Sequence, residues 1–293
     1  MSYLRLPHLH GDLLCFVSED DLWLAPLDGG ARAWRLTVDR TKTGHPRFSP
    51  DGRHIAYTSW RSLVPEIHLV PVDGGESRQL TYWGNTDTQV CGWTPPDTDG
   101  HSDILAVTSH GEPFSHFTWA YKVSPGGDPG RKLPWGPVTD IQVADLDGVR
   151  RTLLLTGTPP HEPAAWKRYR GGATGRLWLH GKRLLADLAG HLHSPMFVAG
   201  RIAFLSDHEG IGNLYSCAPR RLRSAPAHRP RRLLRPPRGE RRQPRRLPVR
   251  RRPVAGGRPR PGRRAPPGWT SGCPGRAPDA AAARCPPRST STG

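Results

Sequence analysis

The sequence predicts an all-β protein: an incomplete β-propeller of about four and a half blades, followed by a disordered tail rich in arginine and proline. Three observations support this fold class. A strand–turn–strand unit recurs through residues 1–217. Short runs with an apolar residue at every second position alternate with turns built from Pro, Asp and Gly. The composition then changes abruptly after Cys217.

The clearest copy of the repeat unit covers residues 45–81. It contains a Ser-Pro-Asp-Gly turn, the strand IAYTS, the strand EIHLVPV, an Asp-Gly-Gly turn and the short strand RQLT. In the first turn, Pro50 fixes its own φ, the Asp51 side chain can bond the local backbone, and Gly52 accepts positive φ. Residues 11–37 align with this copy element for element, so both stretches are predicted to be blades.

Weaker copies of the unit begin at Asp103, Arg151 and Ser194. Each pairs a strand of period-two apolar residues with a second strand that carries aromatic or β-branched residues. Hairpins that recur about every 40 to 50 residues are typical of propeller blades of the WD type. A β-sandwich also has short strands and frequent turns, but it does not require whole units to repeat, and the propeller is therefore favoured.

The tail, residues 218–293, has a composition of its own. It holds 22 arginines and no lysine against two acidic residues, Glu240 and Asp279, whereas residues 1–217 carry a net charge near −2. It also lacks Phe, Tyr, Met, Ile, Asn and Lys, the six residue types whose codons begin with two A or U bases. GC-rich DNA read out of frame yields Arg, Pro, Ala and Gly, so the tail is predicted to be a frameshifted translation that truncates the propeller.

Two other interpretations of the tail stay open: a disordered linker and a nucleic-acid-binding arm. Disordered regions commonly use Lys, Asn, Ser, Glu and Gln, which fits this composition poorly. Clusters such as Arg241–Arg242 and Arg250–Arg252 would attract phosphates by counterion release. Because Trp269 is the tail's one large aromatic side chain for base stacking, any nucleic-acid binding is expected to be non-specific.

Cysteine usage and the lack of long apolar runs indicate the compartment. The five cysteines show no Cys-x-x-Cys spacing and fit buried thiols in a reducing compartment; they are Cys15, Cys91, Cys217, Cys273 and Cys285. The first residues contain no apolar run long enough for a secretory signal, and no later segment has the length of a membrane span. We expect a cytoplasmic protein without a membrane partner.

No motif for catalysis or cofactor binding is present. The sequence contains no Gly-x-Ser-x-Gly elbow, phosphate loop, Gly-x-Gly-x-x-Gly or His-Glu-x-x-His. No catalytic, cofactor-binding or metal-ligating residue and no cofactor are therefore predicted.

Several side chains could nevertheless suggest a site. The histidine pairs are interpreted as turn or surface residues although their i, i+2 spacing could place both rings on one face; they are His8 with His10 and His191 with His193. The acidic pairs are interpreted as turn caps; they are Asp20 with Asp21 and Asp97 with Asp99. Five tryptophans are predicted to pack between blades; they are Trp23, Trp34, Trp60, Trp83 and Trp93.

The ordered succession of motifs resembles a known family. The opening YLRLPHLHGDLLCFVSEDDLWLAPLDGG and the block HPRFSPDGRHIAYTSW are similar to the N-terminal propeller of tricorn-type peptidases, large cytosolic serine peptidases that trim oligopeptides. The likeness extends over residues 3–217. The Ser-Pro-Asp-Gly motif alone is less specific, because propellers of prolyl oligopeptidases and of the Tol-system periplasmic protein share it.

The resemblance implies a six-bladed propeller that helps peptides reach or leave a buried active site, in an enzyme known as a ring-shaped homo-oligomer. The family's catalytic residues lie in its C-terminal half, so none of them corresponds to a position in this chain. An incomplete ring would leave an edge strand unpaired near Leu214–Tyr215, and the chain is expected to be unstable and inactive alone. The alternative is a stand-alone propeller that scaffolds protein partners and carries a basic arm.

Overall fold

The structure, a computed structural model, describes residues 3–115, 117–157 and 169–219, together with the backbone of the short strand Arg231–Arg232. Across these residues there are twenty β-strands and no helix. The strands belong to a compact unit that extends from Met1 to Gly239. A second unit, Glu240–Gly293, lies outside the described residues.

The strands form five separate four-stranded antiparallel sheets, each in chain order. The first blade contains β1 (Arg5–His10), β2 (Leu13–Ser18), β3 (Asp21–Pro26) and β4 (Trp34–Arg35). The second contains β5 (Thr43–Phe48), β6 (His54–Ser62), β7 (Val64–Pro71) and β8 (Arg78–Gln79). The third contains β9 (Gln89–Trp93), β10 (Ile104–Thr108), β11 (Trp119–Val123) and β12 (Arg131–Lys132).

The fourth blade contains β13 (Asp140–Leu146), β14 (Val149–Thr156), β15 (Arg176–Leu179) and β16 (Lys182–Arg183). The fifth contains β17 (Leu192–Val198), β18 (Arg201–Ser206), β19 (Asn213–Cys217) and β20 (Arg231–Arg232). The first strands of successive blades contact one another, from β1 to β5, β9, β13 and β17. These five strands therefore surround the propeller axis, and the two-residue fourth strands lie at the rim.

The blade count corrects the prediction of four and a half blades, because the structure has five. The edge predicted to be unpaired near Leu214–Tyr215 is also paired: Tyr215 lies opposite Arg232, and Ser216 lies opposite Arg231. A two-residue strand has too few residues for an alternating pattern, which is why sequence reasoning missed it. Apart from Ala218, Pro219 and β20, the tail that was predicted to be disordered lies outside the described residues.

Turn chemistry explains why the strands fold back as hairpins. Four hairpin loops have two residues that both adopt positive φ, as type I′ turns require; they are Glu19–Asp20, Asp147–Gly148, His180–Gly181 and Ala199–Gly200. The predicted Pro-Asp-Gly turn is confirmed. Gly52 adopts φ +73° and donates to the Ser49 carbonyl at 2.9 Å, and Asp51 Oδ1 accepts the Arg53 amide at 3.1 Å.

Apolar side chains from neighbouring blades form the core. At the interface of the first two blades, Cys15, Val17, Leu22 and Leu24 pack with residues of the second blade; these are Phe48, Ile55, Tyr57 and Val70. Similar clusters join the second blade to the third, the third to the fourth and the fourth to the fifth. Each buried aliphatic side chain contributes roughly 1.5–3 kcal/mol. Packing of blade on blade therefore holds the ring around its axis.

A polar clamp closes the first blade at its outer strands, and sequence reasoning did not identify it. The Thr37 hydroxyl accepts the Leu22 amide at 3.0 Å and donates to Asp21 Oδ1 at 2.8 Å. The second blade repeats the arrangement with Thr81 and Glu66, where the Thr81 hydroxyl donates to Glu66 Oε2 at 2.5 Å. The sequence signal is a Leu-Thr pair just after the fourth strand, and it fixes that strand to the third.

Candidate functional site

A small cavity lies on the propeller axis, and all five blades contribute to its wall. Its lining includes one residue at the start of the inner strand in each blade; these are Leu6, His45, Gln89, Asp140 and His193. The volume is about 60 Å³, room for about two water molecules or one small polar group. We call this space the axial cavity.

A wider space, the mouth cavity, adjoins the axial cavity and shares Leu6, His45, Gln89 and Thr139 with it. Its volume is about 220 Å³. The additional lining includes Arg5, Lys42, Trp60 and Asp87. The Lys42 ammonium lies 4.1 Å from the centre of the Trp60 ring, an arrangement that the negative face of the ring stabilises. The axis thus holds a mouth with charged residues next to a smaller cavity of mixed polar and apolar lining.

Three β-bulges shape the axial cavity. Leu6, His45 and Ser194 adopt φ of +52°, +51° and +48°, values that cost energy for residues other than glycine. Each directly precedes a proline, and strand pairing shifts register at each position. Bulges re-aim side chains, and all three residues line the axial cavity. The sequence signal is an X-Pro pair in three of the five inner strands.

Arg47 is fixed beside the axial cavity by contacts with the third blade. Its Nε donates to the Cys91 carbonyl at 2.7 Å, and its Nη1 donates to the Pro46 carbonyl at 2.9 Å. The indole of Trp93 in turn donates to the Arg47 carbonyl at 3.0 Å. The guanidinium therefore holds one position, and its charge acts on the surrounding groups.

The histidines around the axis are held neutral. Burial, followed by the positive charge of Arg47, lowers the pKa of His45 and of His8 to about 3. Burial also lowers the pKa of His191 and His193. At neutral pH these imidazoles therefore offer one donor and one acceptor nitrogen each, without charge.

The axial cavity also contains a buried carboxyl group. Burial raises the pKa of Asp140 to about 6, although Arg47 and a hydrogen bond from Gln142 oppose the shift. Gln142 Nε2 lies 3.2 Å from Asp140 Oδ1. The group changes charge close to neutral pH, which makes the electrostatics of the cavity sensitive to pH in this range.

One polar atom at the site has no partner. His45 Nδ1 is shielded from solvent and forms no hydrogen bond within the described structure. A buried donor or acceptor left without a partner costs about 1–3 kcal/mol. His45 thus combines an unsatisfied ring nitrogen with a strained backbone, and both features occur at a residue that faces the axis.

The histidine pairs agree only in part with their interpretation as turn or surface residues, because His10 is exposed whereas His8 is partly buried. His8 and His10 pack against Phe48, with ring centres 5.8 and 5.7 Å from it. His191 and His193 have ring centres 6.1 Å apart and line the axial cavity, so the assignment of this pair to a turn or the surface is wrong. The bulge at Ser194 places the pair beside the axis.

The acidic pairs serve local structure. Asp20 lies in a hairpin turn and pairs with Arg5 at 3.1 Å, whereas Asp21 is buried in the polar clamp. Asp97 Oδ1 accepts two backbone amides of its own turn, at 3.0 and 2.8 Å. Neither pair forms a carboxylate dyad suited to acid–base catalysis. The turn-cap interpretation is confirmed for Asp97, whereas Asp21 bonds Thr37 and Arg35 across strands and does not cap a turn.

The tryptophans divide between packing and lining. Trp83 and Trp93 belong to the core between the second and third blades, as predicted, and the Trp23 indole donates to the Ser18 carbonyl at 3.1 Å. Trp34 is 42% exposed, so the packing prediction is wrong there. Trp60 lines the mouth cavity instead.

The described residues include neither a metal-binding cluster nor an exposed, reactive thiol. Among the residues that the structure describes, no three His, Cys, Asp or Glu side chains gather closely enough to hold a metal ion. Cys15 and Cys91 are buried and Cys217 is partly buried, each as a free thiol, and burial raises the pKa of all three. Within the same residues, no helix could span a membrane.

Comparison with known proteins identifies the propeller. Residues 1–229 match the family described as the tricorn protease N-terminal beta propeller domain. The chain belongs to this family. The resemblance inferred from the sequence is thereby confirmed, and the axial and mouth cavities are features of a tricorn-type propeller.

Relatives of the tricorn type match the same region. The chain is 84% identical over 218 residues to "Putative tricorn protease homolog 2" of Streptomyces coelicolor, covering 74% of this chain and 19% of the relative. It is 47% identical over 221 residues to "Tricorn protease homolog 1" of the same organism, covering 73% and 20%. A crystal structure of the tricorn protease superposes with a TM-score of 0.63 at 31% identity, covering 74% and 21%. The chain thus spans about a fifth of the length of these relatives.

Proposed function

We propose that this chain is the non-catalytic N-terminal propeller of a tricorn-like serine peptidase that trims oligopeptides in the cytosol. The observation that carries the proposal is the 84% identity over 218 residues to a tricorn protease homolog, of which those residues form only 19%. The aligned length covers nearly all of the five blades, so the remaining four-fifths of such an enzyme would supply the catalytic residues. Oligomerisation would likewise belong to the full-length peptidase.

The propeller would act as a gate for peptides. A cavity of about 220 Å³ adjoins one of about 60 Å³ on its axis, and neither could admit a folded protein. An extended peptide would pass only if the inner strands move apart. A sixth blade, which the family resemblance implies, would enlarge the channel because the diameter of a propeller grows with its number of blades.

We further propose that the reading frame breaks near Cys217. The 84% identity covers 218 residues, about the length that precedes the arginine-rich tail, and the amino-acid composition changes at the same point, although the family match continues to residue 229. Sequencing the DNA across the codons for Tyr215 to Arg223 tests this proposal. A one-base shift that opens a frame encoding more propeller would support it, and an intact frame with a confirmed stop codon would refute it.

A chimera tests the peptidase proposal. Residues 1–217 replace the corresponding region of the 84% identical Streptomyces relative, and hydrolysis of a tripeptide and of a longer oligopeptide is measured. We expect the chimera to hydrolyse both substrates as its parent does, whereas the full chain of 293 residues alone hydrolyses neither. Turnover by the chain alone would contradict the non-catalytic assignment.

Two matched substitutions in the chimera test gating. Gln89→Trp narrows the axial cavity, and Gln79→Trp places the same ring on the rim strand β8. We expect Gln89→Trp to slow cleavage of the oligopeptide more than that of the tripeptide, and Gln79→Trp to change neither. Equal behaviour of the two variants would show that the axis does not gate substrates.

A basic tail that binds nucleic acid non-specifically is a separate proposal, and it depends on translation of residues 218–293 as printed. Their 22 arginines support it through phosphate attraction alone. Binding that weakens steeply with salt and disappears when the tail is removed would support this alternative.

A further inference from the structure

We propose that the axial cavity is a carboxylate-binding site, in which Arg47 and His45 hold the two oxygens. The ligand is a free small carboxylate or the C-terminal carboxylate of a peptide. The second assignment rests on the proposed role in peptide passage and names the part of the peptide that the propeller recognises.

The Arg47 guanidinium is suited to this ligand. Its two hydrogen bonds, to the carbonyls of Pro46 and Cys91, use two of the five N–H groups of the side chain. Planar guanidinium groups bind carboxylates through paired hydrogen bonds, and such bonds are stronger where water is excluded. Because both partners are neutral carbonyls, they do not cancel the positive charge that Arg47 places at the axis.

His45 supplies an independent sign of a missing partner. Its Nδ1 is shielded from solvent and has no hydrogen-bond partner, and the left-handed backbone of the residue, at φ +51°, is energetically unfavourable. If the ring turns so that this shielded nitrogen reaches the axial cavity, a neutral His45 with its proton on Nδ1 would donate to a carboxylate oxygen and satisfy the nitrogen. A ligand that accepts hydrogen bonds therefore offsets a cost that the unliganded site bears.

The remaining charges around the two cavities favour an anion at low pH. Arg5 and Lys42 lie at the mouth together with Asp87, and Asp140 faces the axial cavity with the neutral His191 and His193. An ionised Asp140 would repel a bound carboxylate. Since the pKa of Asp140 is raised to about 6, affinity should fall as pH rises through this value.

The dimensions match a carboxylate with a chain attached. A volume of about 60 Å³ holds a group of a few atoms, and the adjoining mouth of about 220 Å³ can take the preceding residue of a peptide. Trp60 and the Lys42 stem give the mouth an apolar wall beside its charges. A bulky side chain would not fit beside the carboxylate in the axial cavity.

The decisive experiment uses the wild-type full chain and three probes: acetate, trialanine and trialanine amide. Calorimetric titration at pH 5.5 should show that trialanine binds at least about tenfold tighter than its amide, a difference of about 1.4 kcal/mol. Acetate should compete with trialanine. Equal affinity of acid and amide, or no saturable binding of any probe, would overturn the proposal.

Variants locate the site. Arg47→Gln should lower the affinity for trialanine at least about tenfold, and Arg47→Lys should retain part of that affinity. Arg53→Gln is the matched control, because the Arg53 side chain lies in the same blade and is 81% exposed; it should leave the affinity unchanged. If Arg47→Gln does not fold, the affinities of the wild-type chain for trialanine and for trialanine amide still show whether the carboxylate is recognised. Binding of acetate without trialanine would support the carboxylate site and overturn its peptide assignment. The chimera experiment is independent, because a gate can operate without this anchor.

Discussion

The Nε atom of Arg47 donates a 2.7 Å hydrogen bond to the carbonyl oxygen of Cys91, and this bond joins the second blade to the third. Gln142 Nε2 donates to the same oxygen at 2.9 Å from the fourth blade. One carbonyl thus links three blades next to the axial cavity. Apolar packing holds the blades together farther out, whereas polar side chains fix their inner strands.

Gln142→Met should therefore loosen the junction between the third and fourth blades. The substitution keeps the length of the side chain but removes hydrogen bonds to Cys91 and to buried Asp140. We expect the free energy of unfolding in urea to fall by about 1–3 kcal/mol. The exposed Glu76→Gln serves as the control and should change stability little. An unchanged midpoint for Gln142→Met would show that this junction is not needed.

Asp140→Asn should remove a pH-dependent loss of stability. The pKa of Asp140 is about 6 in the folded chain and 3.8 in the reference state, so the unfolded chain ionises first as pH rises between these values. Wild-type stability therefore falls across this window, by roughly 3 kcal/mol at 1.36 kcal/mol per pKa unit. Urea titrations at several pH values should show the free energy of unfolding of the variant rising relative to that of the wild type from pH 4 to pH 7.

The exposed Asp97→Asn is a control of opposite sign. Backbone hydrogen bonds lower the pKa of Asp97, so its contribution is present above the ordinary carboxyl pKa and disappears as pH falls. If Asp140→Asn shows the same pH profile as the wild type, the buried carboxyl is not the titrating group.

Gly52→Ala should destabilise the chain more than Gly74→Ala. Both glycines have positive φ, +73° and +92°, so both substitutions carry a backbone penalty. A Cβ on Gly52 would also approach the His10 ring to 2.5 Å, whereas the space around Gly74 is open. The difference between their melting temperatures measures this clash. Equal losses would mean that the His10 ring moves away freely.

Thr37→Val should open the polar clamp of the first blade. The change keeps the shape of the side chain but leaves the Leu22 amide and Asp21 without a hydroxyl partner. A loss of about 1–3 kcal/mol is expected from urea unfolding. Thr98→Val, at an exposed turn position, should be close to neutral, and equal effects would contradict the clamp.

Chain length tests the role of the last strand. The fragment 1–239 keeps β20, and the fragment 1–219 exposes the edge of β19. Unpaired strand edges promote association, so the shorter fragment should melt at lower temperature and form larger species in light scattering. If the two fragments behave alike, residues 231–232 do not close the fifth blade in solution.

Much of the propeller can be predicted from the sequence because its determinants are local. Period-two apolar residues and the Pro50-Asp51-Gly52 turn specify hairpins within a few residues of one another. The strand β20 could not be predicted, since Arg231–Arg232 forms a strand only through pairing with Tyr215 and Ser216. Of the site, the sequence shows the histidines and X-Pro pairs but gives no reason to group them.

The sequence by itself determined the all-β class, the blade repeat and the family, because strand periodicity and turn chemistry act over short distances along the chain. Only the tertiary structure decided that His45, Arg47, Asp140 and His193, which lie up to 148 positions apart, meet at one axis. That meeting depends on the angle at which each blade packs on the next. Burial then set the charge of each group, since the pKa of a side chain responds to the neighbours that folding gives it.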